Sequence, residues 1–349
     1  PLTLAGSAWL LRDPLNSISV TELIARDVLP GQRINVDGIL DEPFWADSTP
    51  VTVVTRVPGS SAHIPVEIRA ARQGDVVYFA FSWDDPTHSI AHLPLVKTER
   101  GWTLLHDGYA DGDERTWYED KFAVAFSSEP NIAGNRSFHF GTGKPTTSRS
   151  ESRRGLHYAE ASLVDMWHWK AVRNHGYSML DDSHFAAPYP RIPGASRYTG
   201  GYKADPSLTT PYSSNYLWFY EDVVQPKRLP MDPAQLAAFQ TWQQNAEAAP
   251  FALSWYETRP YTPEDDIYPV GTVMPSVLWI TNPEVDRDDV AAWGRWDNGR
   301  WTLETARGIR ADSGFDVDIT DGTYLWVATF DHAQSNHSYH LRPLRLRFR

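Results

Sequence analysis

The pattern that most restricts this chain is alternation. Val66–Arg72 and Val76–Trp83 are rich in β-branched and aromatic residues, alternate or run apolar, and are separated by Gly74-Asp75. A period of two sends successive side chains to opposite faces, and a Gly-Asp step between two such runs signals a hairpin. Similar runs recur at Val51–Val57, Lys121–Phe126, Val164–Val172, Val273–Ile280, Ala292–Trp296, Trp301–Arg307, Tyr324–Asp331 and Leu341–Phe348. Trp296 and Trp301 flank Asp297-Asn298-Gly299, a second strong hairpin signature. With 15 Trp, 16 Tyr and 14 Phe spread over short runs, and 26 Pro and 22 Gly between them, the expectation is an all-β sandwich or barrel.

Residues 1–31 read as an N-terminal arm with a short helical stretch at Val20–Arg26. Residues 32–349 read as a single β-sandwich domain carrying a long insertion at about 141–272. Within it, Arg33–Val36 is strand-like, Asp37-Gly38 a turn and Glu42–Ala46 a short helix. Arg136–Phe140 reads as a strand paired with Lys121–Phe126 through the turn at 127–134. Residues 141–163 are a polar loop, and 174–230 show no clear period. The best helix signal is Asp232–Glu247, with Asp232 as cap, Pro233 in the first turn and Pro250 as the stop.

The 349 residues include 41% hydrophobic and 22% charged side chains, enough to bury a substantial core. The formal net charge of −12 argues against nucleic-acid binding and against docking on anionic lipid. No apolar stretch reaches the roughly 18 residues of a membrane span. Leu2–Leu11 reads as the tail of a leader, too short to cross a membrane. The chain has no cysteine, which excludes disulfides, iron–sulfur clusters, zinc–thiolate sites, cysteine nucleophiles and covalently attached c-type haem.

Signatures of nucleophile-elbow hydrolases, zinc proteases and P-loops are absent. Gly141-Thr142-Gly143-Lys144 follows a strand-like run but leads into a polar loop, so it reads as a turn. Asp107, Asp111, Asp113 and Glu114 form an acidic loop that offers a structural Ca²⁺ site or a solvated face. Asp84-Asp85 and Asp331-His332 close two strands, as carboxylates of a glycoside hydrolase do, although 44 acidic residues make chance pairs common. The histidines say more. His139 faces opposite Phe138 and Phe140 on a strand. In Met166-Trp167-His168-Trp169-Lys170 the two tryptophans share one face, and Met166, His168 and Lys170 the other. That second face offers a thioether, an imidazole and an amine, all able to ligate iron. His337 and His340 lie three apart before the last strand.

The block Ile34-Asn35-Val36-Asp37-Gly38-Ile39-Leu40-Asp41-Glu42-Pro43-Phe44-Trp45 resembles the opening of sandwich domains shared by family 9 carbohydrate-binding modules and the haem-binding subunit of ethylbenzene dehydrogenase. Phe81-Ser82-Trp83-Asp84-Asp85-Pro86-Thr87, Tyr118-Glu119-Asp120-Lys121, Asp165–Ala171 and Ala328-Thr329-Phe330-Asp331 are similar to blocks of the second group, in the expected order. The resemblance implies a β-sandwich of the family 9 carbohydrate-binding-module type with one or two helices, located in the periplasm. It also implies one haem b and electron transfer with other subunits of a membrane-linked redox complex.

Dehydrogenase subunits of this kind use a Met/Lys axial pair. Here the corresponding strand reads Phe138-His139-Phe140-Gly141, and the C-terminal position reads Asn336-His337-Ser338. A bis-His pair of His139 and His337 is the natural substitution, with His157 and His340 as alternatives. Asp331 or Asp165 would orient a ligand imidazole, and Arg153, Arg154 or Lys170 would pair with the haem propionates. On this reading the chain is not an enzyme by itself. The alternatives are a haem-free accessory subunit of a respiratory or photosynthetic complex, and a carbohydrate-binding module.

Overall fold

A computed structural model of the chain describes residues 20–57, 60–109, 114–130, 163–185, 202–209, 211–220, 222–237, 239–240, 250–280 and 289–349. Its main sheet has twelve strands: β1 (Thr21–Asp27), β2 (Val51–Arg56), β3 (His63–Gln73), β4 (Val76–Asp84), β5 (Lys121–Ser127), β6 (Val164–Lys170), β7 (Asp181–Phe185), β8 (Tyr202–Ala204), β9 (Ala291–Asp297), β10 (Arg300–Gly308), β11 (Tyr324–Phe330) and β12 (Leu344–Phe348). The order is β8-β7-β6-β5-β11-β12-β1-β3-β4-β10-β9, and β2 pairs with β3. Gly74 at φ +60 turns the β3–β4 hairpin. Asn298 and Gly299, at φ +48 and +83, form the two-residue loop between β9 and β10, where two left-handed residues match the strand twist.

The sheet curls into a sandwich. β11 and β12 share only two residue pairs, at a corner. Past that corner, β5–β8 with β11 fold back over β1, β3, β4, β9 and β10. The far edges meet where Leu180 N–H donates to Val290 O and Ala292 N–H to Ser178 O. Between the layers, Phe81 meets Phe122 at 4.9 Å, Phe79 meets Phe126 at 5.5 Å, and Trp169 meets Trp301 edge-on at 5.0 Å. Each such ring, fully buried, stabilises the fold by about 1.5–3 kcal/mol. The fit under Trp169 needs Gly294, because a Cβ there would stand 2.2 Å from the indole.

Several sequence expectations are corrected. Val20–Arg26 is not helical: Thr21–Asp27 is a strand between β12 and β3, with Leu23 and Ala25 buried. Arg33–Val36 forms no strand. It belongs to a segment held by side chains. Asn35 N–H donates to Glu42, while Asp37 N–H, Gly38 N–H and Trp45 Nε1 all donate to Glu304. The short helix is present as α1 (Pro43–Asp47). Arg136–Phe140 lies outside the described residues, and both flanks of β5 are taken by β6 and β11. Asp232 caps a 3-10 turn, Pro233–Leu236, by accepting from Ala234 N–H, while residues 238 and 241–247 of the expected helix lie outside the described residues. The stretch 202–230, expected to be irregular, instead contributes short strands.

Tyr216–Tyr220, Val223–Pro226, Gly101–Leu104, Leu95–Thr98 and Val273–Met274 make one small sheet. Tyr212–Ser214, Val277–Trp279 and Leu253–Ser254 make another. A second core, which includes Leu95, Trp102, Leu229, Leu253 and Met274, holds them together.

Candidate functional site

The blocks of the resemblance meet at one end of the sandwich. Asp120, at the head of β5, is fully buried. It accepts from Ser89 N–H (2.8 Å), Trp301 Nε1 (3.1 Å) and His332 N–H (2.9 Å), while its carbonyl accepts from Ala171 N–H. The carboxylate therefore ties β5 to β10 and to the chain following β4 and β11, and the carbonyl ties it to the chain following β6. Burial, then Asp85, pushes its pKa well up, and burial with Asp331 pushes Asp85 up to about 6. Asp84 is exposed and paired with Arg300, and Asp331 is tied to His332 and Thr87. These acids are stitches of the fold.

The outer face of β5, β6 and β11, turned away from the aromatic core, is built differently. Register places Ala123 beside His168 and Ala328, and Ala125 beside Met166 and Trp326. Small side chains form a floor, and His168 stands over it. Both of its ring nitrogens are buried without a hydrogen-bond partner, and its ring stacks on Phe330 at 5.3 Å. Burial, then Lys170 and Lys121, holds its pKa well below the usual range, so the imidazole is neutral.

His337 packs on the same Phe330 at 4.8 Å. Its Nδ1 lies 2.8 Å from Ser335 O. A proton on Nδ1 makes that bond and leaves Nε2 as a free base, the arrangement by which proteins orient metal-binding imidazoles. Burial lowers the His337 pKa as well. A third base completes the group. Lys121, 2% exposed, donates to Gln334 O and lies over the rings of Phe330 (4.2 Å) and Tyr118 (4.9 Å). Burial, then Arg173, pushes its pKa well down. Beside it, buried Glu119 accepts from Val172 N–H, Arg173 N–H and Arg173 Nε, and lies 3.1 Å from His92 Nδ1. Burial and Arg173 bring His92 down to about 4.

The structure thus brings His168 and His337 together around Phe330. Met166, one turn of the pleat away, packs with Val164, Phe185 and Trp326. Other expectations are corrected. His340 is committed on both sides, its Nδ1 to Arg342 O and its Nε2 to Val327 N–H, so it is no ligand. Lys170 is buried, its ammonium engaged by Asp181 and Tyr212. Asp165 points to the opposite face, toward Arg307, and Asp331 holds the imidazole of His332, so neither orients His168 or His337. Glu114 accepts four backbone N–H groups, from Asp107, Gly108, Thr116 and Trp117, which uses its oxygens on the loop and leaves none for Ca²⁺. His139, His157, Arg153, Arg154, Asp111, Asp113 and Gly141–Lys144 lie outside the described residues. Lys121 and Phe330 escaped sequence reasoning as site residues, though both stand inside quoted blocks.

An all-β sandwich with these blocks stitched at one end defines the general class of protein. The chain belongs to the ethylbenzene dehydrogenase family, whose model matches residues 42–342. No curated protein matches it. A crystal structure of a proposed carbohydrate-binding protein from Bacteroides uniformis ATCC 8492 aligns over 95% of this chain and 100% of its own. Its TM-score is 0.35 and its identity 11%, too slight to bear on function. Among the described residues no helix is long and apolar enough to cross a membrane.

Proposed function

We propose that the chain is a non-catalytic, extracytoplasmic electron-carrying subunit of a membrane-linked redox complex, holding one haem b on the outer face of β5, β6 and β11. The observation that carries this reading is His168, a neutral imidazole whose two nitrogens are buried with nothing to bond. Leaving buried polar atoms unsatisfied costs about 1–3 kcal/mol, and a metal ligand explains that cost. The donor chemistry fits: His168 and His337 are kept unprotonated by burial. When bound, a six-coordinate haem passes single electrons.

In this reading the chain's own residues hold and tune the group. His168 would supply a nitrogen to the iron. Phe330 packs against both His168 and His337, and His337 would be the neighbouring base. His139 and His157, the other ligands expected from the sequence, lie outside the described residues. Ala123, Ala125 and Ala328 leave flat space, and Trp326 and Met166 keep water away.

Assembly with other subunits has separate support. Leu217, Trp218 and Phe219 are 55%, 52% and 75% exposed on the edge strand Tyr216–Tyr220. Consecutive large apolar residues on a sheet edge mark an interaction surface. The haem-free accessory subunit is the second reading, favoured by the Phe330 ring, which already packs against both imidazoles.

The test is the absorption spectrum of natively isolated protein, with the pyridine haemochrome. A low-spin b-type spectrum that disappears in His168→Ala supports the proposal. A colourless protein in a stable complex selects the accessory subunit. A spectrum unchanged in His168→Ala removes that residue from the site.

A further inference from the structure

The inner face of β6 carries a second group with unmet bonding, far from imidazole chemistry. Asp165 on β6, Asp182 on β7 and Asp316 in the loop after β10 come together between the two layers, 0%, 0% and 7% exposed. Each is held by one oxygen only. Asp165 Oδ2 accepts from Arg307 Nη1 (2.5 Å) and Val317 N–H (3.2 Å), Asp182 Oδ1 from Ser183 N–H (2.8 Å), and Asp316 Oδ2 from the Ser313 hydroxyl (2.8 Å). The other oxygen of each, Asp165 Oδ1, Asp182 Oδ2 and Asp316 Oδ1, is buried with no donor. Three anchored carboxylates each present a bare oxygen to the interior.

Charge is unbalanced there as well. Asp289 lies 3.1 Å from Arg307 Nε, and among the described residues Arg307 is the cation that faces all four acids. His184 nearby is engaged with Asp205. Buried anions without counter-charge are strongly unfavourable, and protein interiors meet this with a partner or a metal.

We infer that Asp165, Asp182 and Asp316 form a buried binding site for one calcium ion, clamping β6, β7 and the loop after β10 between the layers. Oxygens on one calcium at about 2.4 Å can be at most about 4.8 Å apart. One ligand oxygen from each of the three lies within 4.8 Å of the others. An all-carboxylate set selects a hard cation over zinc or copper. Calcium accepts an irregular set of oxygens, whereas magnesium demands near-ideal octahedral geometry. The site is independent of the haem reading, and it lies away from the Asp107–Glu114 loop.

The test uses the full chain treated with EGTA. Added CaCl₂ should raise the thermal midpoint by about 5 °C, with a much smaller rise for equal MgCl₂. Tb³⁺ should show luminescence sensitised by Trp167, the cross-strand partner of Asp182, and Ca²⁺ should quench it by competition. Asp182→Asn and Asp316→Asn should lose the Tb³⁺ signal, while the distant Asp331→Asn keeps it. No calcium-dependent rise and no sensitised luminescence in the wild-type chain would overturn the inference, whether or not the variants fold. A Tb³⁺ signal unchanged in both Asp182→Asn and Asp316→Asn would overturn it too.

Discussion

Strand β6 has two faces, and they solve opposite electrostatic problems. On the inner face, Asp165 meets Asp182 and Asp316 against Arg307, with Trp167 beneath the guanidinium at 5.8 Å. On the outer face, His168 meets His337 and Lys121 around Phe330. Burial forces the outer bases toward their neutral form and the inner acids toward theirs, because a low dielectric disfavours either charge. The outer face is left with bare nitrogens and the inner face with bare oxygens. One seven-residue strand therefore offers an imidazole nitrogen on one side and a carboxyl oxygen on the other.

The largest expected effect follows from breaking the inner face. Arg307→Ala removes the cation beside Asp165 and leaves buried carboxylates uncompensated. We expect a loss of about 3–5 kcal/mol in urea unfolding at neutral pH. Next is Gly294→Ala, which drives a methyl into the Trp169 ring from the neighbouring strand. A loss of about 1–3 kcal/mol is expected, without change in bound metal. His168→Leu goes the other way. In haem-free protein it replaces two unsatisfied buried nitrogens by a hydrocarbon, and a gain of about 1 kcal/mol is expected. A loss of comparable size would mean that the ring makes bonds essential to the fold.

The pH response separates the two faces by sign. His168 and His337 sit below the ordinary 6.5. As pH falls through 6.5 the unfolded chain takes up protons that the folded one refuses, so their contribution to stability is lost toward acid. Asp165 and Asp316 are raised from 3.8 to about 6 and about 7. Between 3.8 and 7 the folded chain holds the extra protons, so in calcium-free protein their contribution is lost as pH rises through that window. Across the shared window, from about pH 4 to 6.5, the two contributions slope in opposite directions. His168→Leu should make the unfolding midpoint fall more steeply as pH rises, and calcium should abolish that fall.

Much of the architecture was legible. Alternation located β2–β6 and β9–β12, and the Gly-Asp and Asn-Gly steps located two hairpins. β1 was misread because Glu22, Leu23, Ala25 and Arg26 are good helix formers, and only pairing with β12 and β3 decides the matter. Apart from β6, the strands between 141 and 272 span two to five residues, too few to show a period. At the site, residue types and strand parity placed Met166 and His168 on one face. Nothing in the sequence shows that His340 spends both nitrogens on backbone, or that Lys121 is buried on Phe330. Asp165, Asp182 and Asp316 are single acids scattered over 152 positions, joined only when the sheet curls.

The central claim is that the two faces of β6 hold different metals independently, and elemental analysis of the natively isolated chain addresses it most directly. The wild type should contain about one iron and one calcium per chain. His168→Ala should lose the iron alone, and Asp182→Asn the calcium alone. Iron content indifferent to His168→Ala, together with calcium indifferent to Asp182→Asn, would contradict it.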